Sequence, residues 1–243
     1  MSKTHSPYRP YLTRLKFEYR SLVAREPWLS ALHRPVVWWT QYKMNGHIDT
    51  SECLVSTDTA FVLDGFQGSG NSFATVAFKY AQTEPVRLAH HLHSPAQIIK
   101  AVEHGIPTLV TLREPAHAVV SLVSRWTDLS LHQGLRSYVA FYEKIEPFVD
   151  RMVVSPFDQT TQHLDRVFRA VNAQFGTHFD VFVPTDANVR AVRRPQQDSS
   201  KTEMDRQIRK RAYLTEIRSG AYRDLLTRAE ALHNRLKRCG VHD

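Results

Sequence analysis

The sequence is poor in cysteine and has no long apolar run. Only two cysteines occur among the 243 residues, Cys53 and Cys239, and neither belongs to a Cys-x-x-Cys pair. This excludes a disulfide framework and a cysteine-based zinc site. No stretch approaches the roughly 18 uncharged apolar residues that a transmembrane helix needs, and residues 1–6 lack the apolar segment of a signal peptide. We therefore expect a cytoplasmic protein with reduced thiols.

Acidic residues are fewer than basic ones, and the excess is local. The chain carries 32 Lys and Arg against 24 Asp and Glu, a net charge of +8. Residues 186–239 contain 14 of the basic and 7 of the acidic residues, so most of the net charge lies there. Such a segment favours contact with phosphate, sulfate or an anionic surface, although a solvated helical face explains a charge run equally well.

Residues 1–50 form a first region that is rich in aromatic and basic residues. Apolar residues recur at helical spacing between Leu12 and Val23, which predicts a short amphipathic helix. Packing on the rest of the chain is its simplest role, and contact with a partner or a membrane surface is the alternative. We interpret residues 1–50 as a helical arm and residues 51–243 as an α/β domain.

Strand and helix patterns alternate from residue 60 onward. The predicted strands are 61–63, 86–92, 107–112 and 152–154. The predicted helices are 73–80, 95–102, 115–126, 131–149 and 160–175, followed after residue 200 by two terminal helices. This alternation predicts a three-layer α/β sandwich with a central parallel sheet, and with extra helices at both termini. The core would span residues 60–180, and a basic lid with its helices would span residues 186–239.

A glycine-rich segment joins the first predicted strand to its helix: Asp64-Gly65-Phe66-Gln67-Gly68-Ser69-Gly70-Asn71-Ser72-Phe73. In this context it predicts a P-loop-like nucleotide site, because glycines let backbone N–H groups converge on an anion and the helix adds its positive end. The candidate ligands are Gly68, Ser69, Gly70, Asn71 and Ser72. A tight turn without a ligand is the alternative.

The spacing Gly65-x-x-x-x-Gly70-x-Ser72 fits the nucleoside triphosphatase loop except at one position. Asn71 stands where that motif has a lysine. The lysine neutralises the β and γ phosphates, and asparagine supplies no charge. A degenerate P-loop kinase is therefore the weaker interpretation.

A second motif lies at the end of the predicted strand 107–112. Arg113 follows that strand, and Ser121 comes eight residues later in the next helix. Here the chain resembles the sulfotransferases that use 3′-phosphoadenosine 5′-phosphosulfate (PAPS), and the loop's Ser-Phe ending resembles that of the carbohydrate-type members. The resemblance covers about residues 60–180. It implies that the first loop grips the 5′-phosphosulfate, that Phe73 stacks on adenine, and that Arg113 and Ser121 hold the 3′-phosphate.

Arg113 suits that task on physical grounds. The 3′-phosphate distinguishes the donor from ATP, so the site needs a second anion pocket. A guanidinium group at the carboxyl end of a parallel strand can grip a phosphate through two hydrogen bonds. A structural ion pair is the alternative role for Arg113 alone.

Histidines near the second strand are candidates for the base. The segment His90-His91-Leu92 resembles a strand segment that carries a histidine general base in the cytosolic branch of the family. Strand alternation would place His91 and His93 on one face and His90 on the other. We choose His91 as the base from its position in the motif, with His93 as the second candidate. The alternatives are ordinary strand histidines or, less favoured, a zinc site formed with His90. We expect no metal.

Two positions depart from the family's pattern. Gly68 stands where the family has a lysine or arginine that contacts the leaving group, and Ala89 stands where the cytosolic branch has another lysine. Replacement charge would come from Arg87 or from a late basic loop, which closes over the nucleotide in the family. The basic residues of that loop are Arg190, Arg193, Arg194 and Lys201, and we select Arg193 and Arg194 as donor-binding residues.

The sequence thus predicts an enzyme that moves a sulfuryl group from PAPS to a hydroxyl of a glycan, glycolipid or other small acceptor. A degenerate P-loop kinase and a non-catalytic nucleotide-binding protein are the alternatives. We expect no nucleic-acid partner, because the basic residues form no recognisable reading module. Membrane contact through the N-terminal arm is a further expectation.

Overall fold

The computed structural model describes residues 8–45, 50, 52–193 and 200–242. Its strands are β1 (Phe61–Gly65), β2 (Leu88–His90), β3 (Thr108–Leu112) and β4 (Val153–Pro156). Its helices are α1 (Arg9–Arg25), α2 (Ser30–Asn45), α3 (Asn71–Ala81), α4 (Pro95–Glu103), α5 (Pro115–Arg125), α6 (Leu131–Ile145), α7 (Phe157–Gln162), α8 (Leu164–Phe175), α9 (Asp186–Val192), α10 (Ser200–Ile217) and α11 (Arg223–Arg238). Short 3-10 turns cover Pro27–Leu29, Glu146–Arg151 and Gly220–Tyr222.

The four strands form one parallel sheet in the order β2-β1-β3-β4. Gly65 at the end of β1 lies opposite Thr111 near the end of β3. The loops after these two neighbouring strands therefore leave the sheet at the same edge, where parallel sheets bind ligands. The prediction of a mixed α/β fold with a parallel sheet flanked by helices is confirmed, and the arrangement is compatible with three layers.

Strand alternation sends apolar side chains to both faces of the sheet. On one face, Leu63 and Leu109 pack with residues of α3 and α8 such as Phe78. On the other face, Val110 and Leu112 pack with residues of α5, α6 and α11. Each of these side chains is essentially buried and contributes about 1.5–3 kcal/mol to the free energy of unfolding. Both faces of the sheet are thus covered by buried apolar side chains.

The largest differences between predicted and observed elements occur in three of them. Strand β2 ends at His90, because His91 and His93 adopt left-handed conformations with φ of 60° and 51°. The predicted helix 160–175 is interrupted at His163, whose φ of −130° separates α7 from α8. The predicted helix 131–149 ends as an α-helix at Ile145 and continues as a 3-10 turn.

The N-terminal region contains the predicted helix and a second one, α2. Helix α1 is attached to the rest of the chain near Ala24, whose carbonyl oxygen accepts a 2.6 Å hydrogen bond from Ser94 Oγ. The predicted apolar face packs into the core only at its end, where Val23 is buried, since Leu15, Tyr19 and Leu22 are 67%, 45% and 43% exposed. Within the described ranges no helix is long and apolar enough to cross a membrane.

Candidate functional site

The glycine-rich loop connects the end of β1 to the first turn of α3. Gly68 and Gly70 have φ of 83° and 100°, conformations that glycine adopts at little cost. The first helical hydrogen bond of α3 runs from Ala74 N to the Gly70 carbonyl oxygen at 3.1 Å. The N–H groups of residues 71–73 therefore precede the helical ladder and lie at its positive end. This geometry suits an anion.

Gly68 has no room for a side chain. A Cβ atom at this position would lie 2.9 Å from both Cβ and Oγ of Ser121. Ser121 is thus buried directly beside the loop. The same crowding, together with the positive φ, explains why no lysine or arginine stands at position 68.

Asn71 closes the base of the loop. Its Nδ2 donates to the carbonyl oxygens of Gly65 and Phe66, both at 3.1 Å, and its Oδ1 accepts a hydrogen bond from Thr111 Oγ1. The side chain is buried. The side chain connects the loop to β3 through hydrogen bonds, so only the backbone N–H of Asn71 remains to bind an anion.

Ser69 and Tyr142 form a second attachment under the loop. Ser69 is fully buried, and its Oγ lies 3.5 Å from the phenol oxygen of Tyr142. Tyr142 donates to the Thr111 carbonyl oxygen at 2.8 Å and accepts from Phe66 N at 3.4 Å. Burial raises the pKa of Tyr142, so the phenol keeps its proton. Sequence reasoning missed Tyr142, since only the tertiary fold brings α6 under the loop.

Arg113 reaches the loop from the end of β3. Its Nη1 donates to the Gly68 carbonyl oxygen at 2.9 Å, and its guanidinium carbon lies 4.0 Å from the centre of the Phe157 ring. Burial lowers the pKa of Arg113, but an arginine remains charged at neutral pH. Within the part of the chain that the structure describes, Arg113 forms no ion pair with a carboxylate. The structural ion pair considered as its alternative role is therefore not formed there.

A cavity of about 390 Å³ opens at this arginine. Its basic lining residues are Arg113, His117, His233 and Lys237, and Glu114 and Asp158 are its acidic ones. Burial lowers the pKa of both histidines, which favours their neutral form. Arginine and lysine therefore carry the positive charge of this cavity.

His93 lies below the loop, where its Nδ1 is also 3.4 Å from Asp64 Oδ1 and from Asn71 Nδ2. Its Nδ1 is 2.8 Å from the Gly65 carbonyl oxygen, which can only accept, so Nδ1 carries the hydrogen in this contact. In the neutral ring Nε2 is then unprotonated. His91 contacts Ser72, with Nε2 2.9 Å from Oγ, and its Nδ1 is 2.7 Å from Nδ1 of His90. His91 and His93 follow β2 instead of lying in it. The prediction that strand alternation places them on one face of the strand was therefore wrong.

A larger cavity of about 610 Å³ lies between α1 and α6. His93, Phe66 and Gln67 form its end nearest the loop. Phe66 and Gln67 of the glycine loop thus border the cavity that contains His93, and the cavity at Arg113 is linked to the loop through the hydrogen bond from Arg113 to Gly68.

A buried charged group below the loop was missed by sequence reasoning. Asp64 accepts hydrogen bonds from Gly65 N at 2.9 Å and Ser94 N at 3.3 Å. Burial lowers the pKa values of Arg20 in α1 and His33 in α2. The negative charge of Asp64 opposes this effect in both residues, but the lowering by burial is larger. For His33 the result is a pKa of about 4. Only Asp64 had a sequence signal, its position between a strand and the glycine loop.

The remaining predicted residues lie around the loop in different ways. Phe73 is partly buried and makes an edge-to-face contact with Phe182, with ring centres 6.3 Å apart. Arg193 is exposed at the end of α9, a helix that packs beside α3. Arg194 and the side chain of Lys201 lie outside the described residues. Arg87 is 3.9 Å from Asp58, at the opposite end of β2 from the histidines.

Neither family models nor curated proteins nor solved structures match this chain. Among the described residues, no group of three or more His, Cys, Asp or Glu side chains has the geometry to hold a metal ion.

Proposed function

We propose that the chain is a sulfotransferase that moves the sulfuryl group of PAPS to a hydroxyl group of an acceptor. One observation carries the proposal: the Arg113 guanidinium lies on the glycine loop, bonded to the Gly68 carbonyl oxygen at 2.9 Å. This bond brings together two candidate anion-binding elements that are far apart in the sequence. A donor with phosphate groups at both its 5′ and 3′ positions needs such a pair.

In this proposal the phosphosulfate binds the loop and the 3′-phosphate binds Arg113. The N–H groups at the start of α3 stabilise the phosphosulfate and the charge that develops on the leaving oxygen. Arg113 retains N–H donors beyond the one given to Gly68, and its cavity of about 390 Å³ offers Lys237 as a second cation. Arg193 completes the site as a lid in this proposal, supported by the packing of α9 beside α3. Arg194, proposed for the same lid, lies outside the described residues.

We assign the base to His93, with His91 as the second candidate. The hydrogen bond from Nδ1 to the Gly65 carbonyl oxygen orients the ring of His93 and leaves Nε2 to accept a proton. His93 also lines the larger cavity, from which a hydroxyl group would approach. In the step, the acceptor oxygen gives its proton to Nε2 and bonds to sulfur. The bond between sulfur and the phosphate oxygen breaks, and adenosine 3′,5′-bisphosphate leaves with the electron pair.

Calorimetric titration tests the donor assignment. We expect adenosine 3′,5′-bisphosphate to bind more tightly than ADP or ATP, with or without magnesium. A preference for ATP with magnesium would instead support the degenerate kinase, against which the Asn71 side chain argues because it supplies no charge. Turnover is tested with ³⁵S-labelled PAPS and a panel of glycans and hydroxylated lipids. Bisphosphate binding without any product would identify a non-catalytic nucleotide-binding protein.

We further propose that the N-terminal arm contacts an anionic membrane surface. The arm exposes four aromatic side chains near α2, namely Trp28, Trp38, Trp39 and Tyr42. Two of them have a cation over the ring: Arg34 lies 5.7 Å from the Trp38 ring centre and Lys43 lies 5.0 Å from that of Trp39. Exposed tryptophan beside basic residues suits the headgroup region of an anionic bilayer.

A further inference from the structure

The larger cavity is open to solvent, and one of its walls is apolar. Leu15, Tyr19 and Leu22 lie one helical turn apart along α1, line the cavity and are each more than 40% exposed. The buried ring of Phe141 on α6 and that of Phe66 in the loop complete the apolar lining. Exposed apolar side chains on the wall of a cavity provide contact area for an apolar part of a ligand.

The same cavity carries an excess of positive charge. Four arginines and two glutamates line it: Arg20, Arg25, Arg136, Arg228, Glu18 and Glu143. Arg228 is engaged with Glu143 at 2.8 and 2.9 Å, and Arg25 is 2.8 Å from the neighbouring Glu26.

Two of the arginines have no such partner. Within the described ranges, Arg20 and Arg136 form no ion pair with a carboxylate. Arg20 projects from α1 and is partly buried, whereas Arg136 is exposed on α6. The charge of Asp64 raises the pKa of Arg20 without forming an ion pair with it, so this partly desolvated guanidinium keeps N–H donors for an anionic ligand group. A ligand of this cavity should therefore carry a negative charge near the two arginines as well as an apolar part against the α1 wall.

We infer that this cavity binds the acceptor, and that the acceptor is a hydroxyl compound with an acidic group and an apolar part. The inference rests on the proposed sulfuryl transfer. Arg20 and Arg136 bind the acidic group, the α1 wall binds the apolar part, and the hydroxyl group meets His93 at the end of the cavity nearest the loop. This restricts the expected glycans and lipids to acidic ones with apolar surface.

Titration with a matched pair of probes tests the charge requirement. We choose 10-hydroxydecanoate and 1,10-decanediol, which share chain length and a hydroxyl group but differ in charge. The hydroxy acid should bind at least about tenfold more tightly than the diol. Arg136→Gln and Arg20→Gln should each lower the affinity for the hydroxy acid by about tenfold. Neither change should alter the affinity for the diol. Arg211→Gln, which removes an exposed charge on α10 away from both cavities, should change neither.

The inference is overturned if both probes bind equally, if neither binds, or if Arg136→Gln leaves the difference intact. Arg136 is exposed, so its variant should fold even if the Arg20 variant does not. Adenosine 3′,5′-bisphosphate is titrated into the same preparations. Bisphosphate binding without a preference for the hydroxy acid would refute the acceptor inference alone. Absence of bisphosphate binding would refute the proposed sulfuryl transfer, and with it the acceptor role.

Discussion

Arg113 Nη1 donates a 2.9 Å hydrogen bond to the carbonyl oxygen of Gly68. This bond joins the loop after β1 to the end of β3, its neighbour in the sheet. The loop itself carries no cationic side chain, and position 68 has no space for one. The guanidinium group thus brings a positive charge beside the loop, where we assign it to the 3′-phosphate.

Replacement of Gly68 should destabilise the fold through both backbone strain and crowding. The left-handed conformation costs a non-glycine residue about 1–2 kcal/mol, and overlap with Ser121 should add about 1–3 kcal/mol. Gly105→Ala is the matched control, because Gly105 has φ of 69° and nothing lies within 4 Å of its added Cβ. Urea unfolding measures both variants. Equal losses for Gly68→Ala and Gly105→Ala would show that Ser121 does not crowd the loop.

Removal of the His93 base should affect turnover and spare donor binding. His93→Asn retains an N–H donor near the Gly65 carbonyl oxygen and removes the atom that accepts the proton. We expect kcat to fall by about 10²-fold or more, with bisphosphate affinity within about threefold of the parent value. Labelled-sulfate transfer to the best acceptor of the panel gives kcat. A large loss in His91→Asn together with an unchanged His93→Asn would assign the base to His91.

Acid should weaken the fold through His33. The pKa of this buried histidine is lowered to about 4 from an ordinary value of 6.5, mainly by burial, with Arg20 lowering it further and Asp64 opposing. The unfolded chain therefore takes up the proton first as the pH falls. Above about pH 6.5 the titration of His33 has almost no effect on the free energy of unfolding. As the pH falls to about 4, it lowers the free energy of unfolding by about 3 kcal/mol.

His33→Leu should remove this part of the pH dependence. Between about pH 7 and pH 4.5, the parent protein should lose about 2–3 kcal/mol more than the variant, measured by urea unfolding. The exposed His132→Leu is the control and should follow the parent. Parallel curves for His33→Leu and the parent would place the acid sensitivity elsewhere.

Membrane contact should depend on both the arm and the lipid charge. We expect the protein to sediment with vesicles that contain phosphatidylglycerol and to remain in solution with pure phosphatidylcholine. Added salt should release it. The double change Trp38→Ala with Trp39→Ala should lower the binding constant by about tenfold or more. Trp126→Ala, an exposed tryptophan outside the arm, should have no effect. Equal losses in the two proteins would exclude a specific role for the arm.

Most of the fold could be predicted from the sequence because local patterns determine it. The apolar runs at Phe61–Leu63 and Thr108–Leu112 are short, fully buried and bounded by turn residues, so they are strands in the pattern and in the structure. Prolines at the first turns of α4 and α5 fix where these helices begin. The glycine loop and Arg113 could be located because each directly follows one of these strands in the sequence.

The internal arrangement of the site could not be predicted, because it depends on tertiary contacts. The pattern could not indicate that Asn71 points into the loop's base, or that the apolar stripe of α1 borders a cavity. Nor could it place Arg20 near Asp64, since the docking of α1 decides that distance. Strand alternation failed at His91 and His93 because backbone conformation ended β2 earlier than its composition suggested.

The most direct test measures how Arg113 discriminates the 3′-phosphate. Adenosine 3′,5′-bisphosphate and adenosine 5′-phosphate are titrated into the parent protein, Arg113→Ala and Arg113→Lys, each checked for folding by circular dichroism. We predict that Arg113→Ala binds the bisphosphate about 10- to 100-fold more weakly and binds the monophosphate almost normally. This variant therefore loses its preference for the bisphosphate over the monophosphate, and Arg113→Lys retains part of that preference. An undiminished preference in Arg113→Ala, or an equal loss for both nucleotides, would contradict the account.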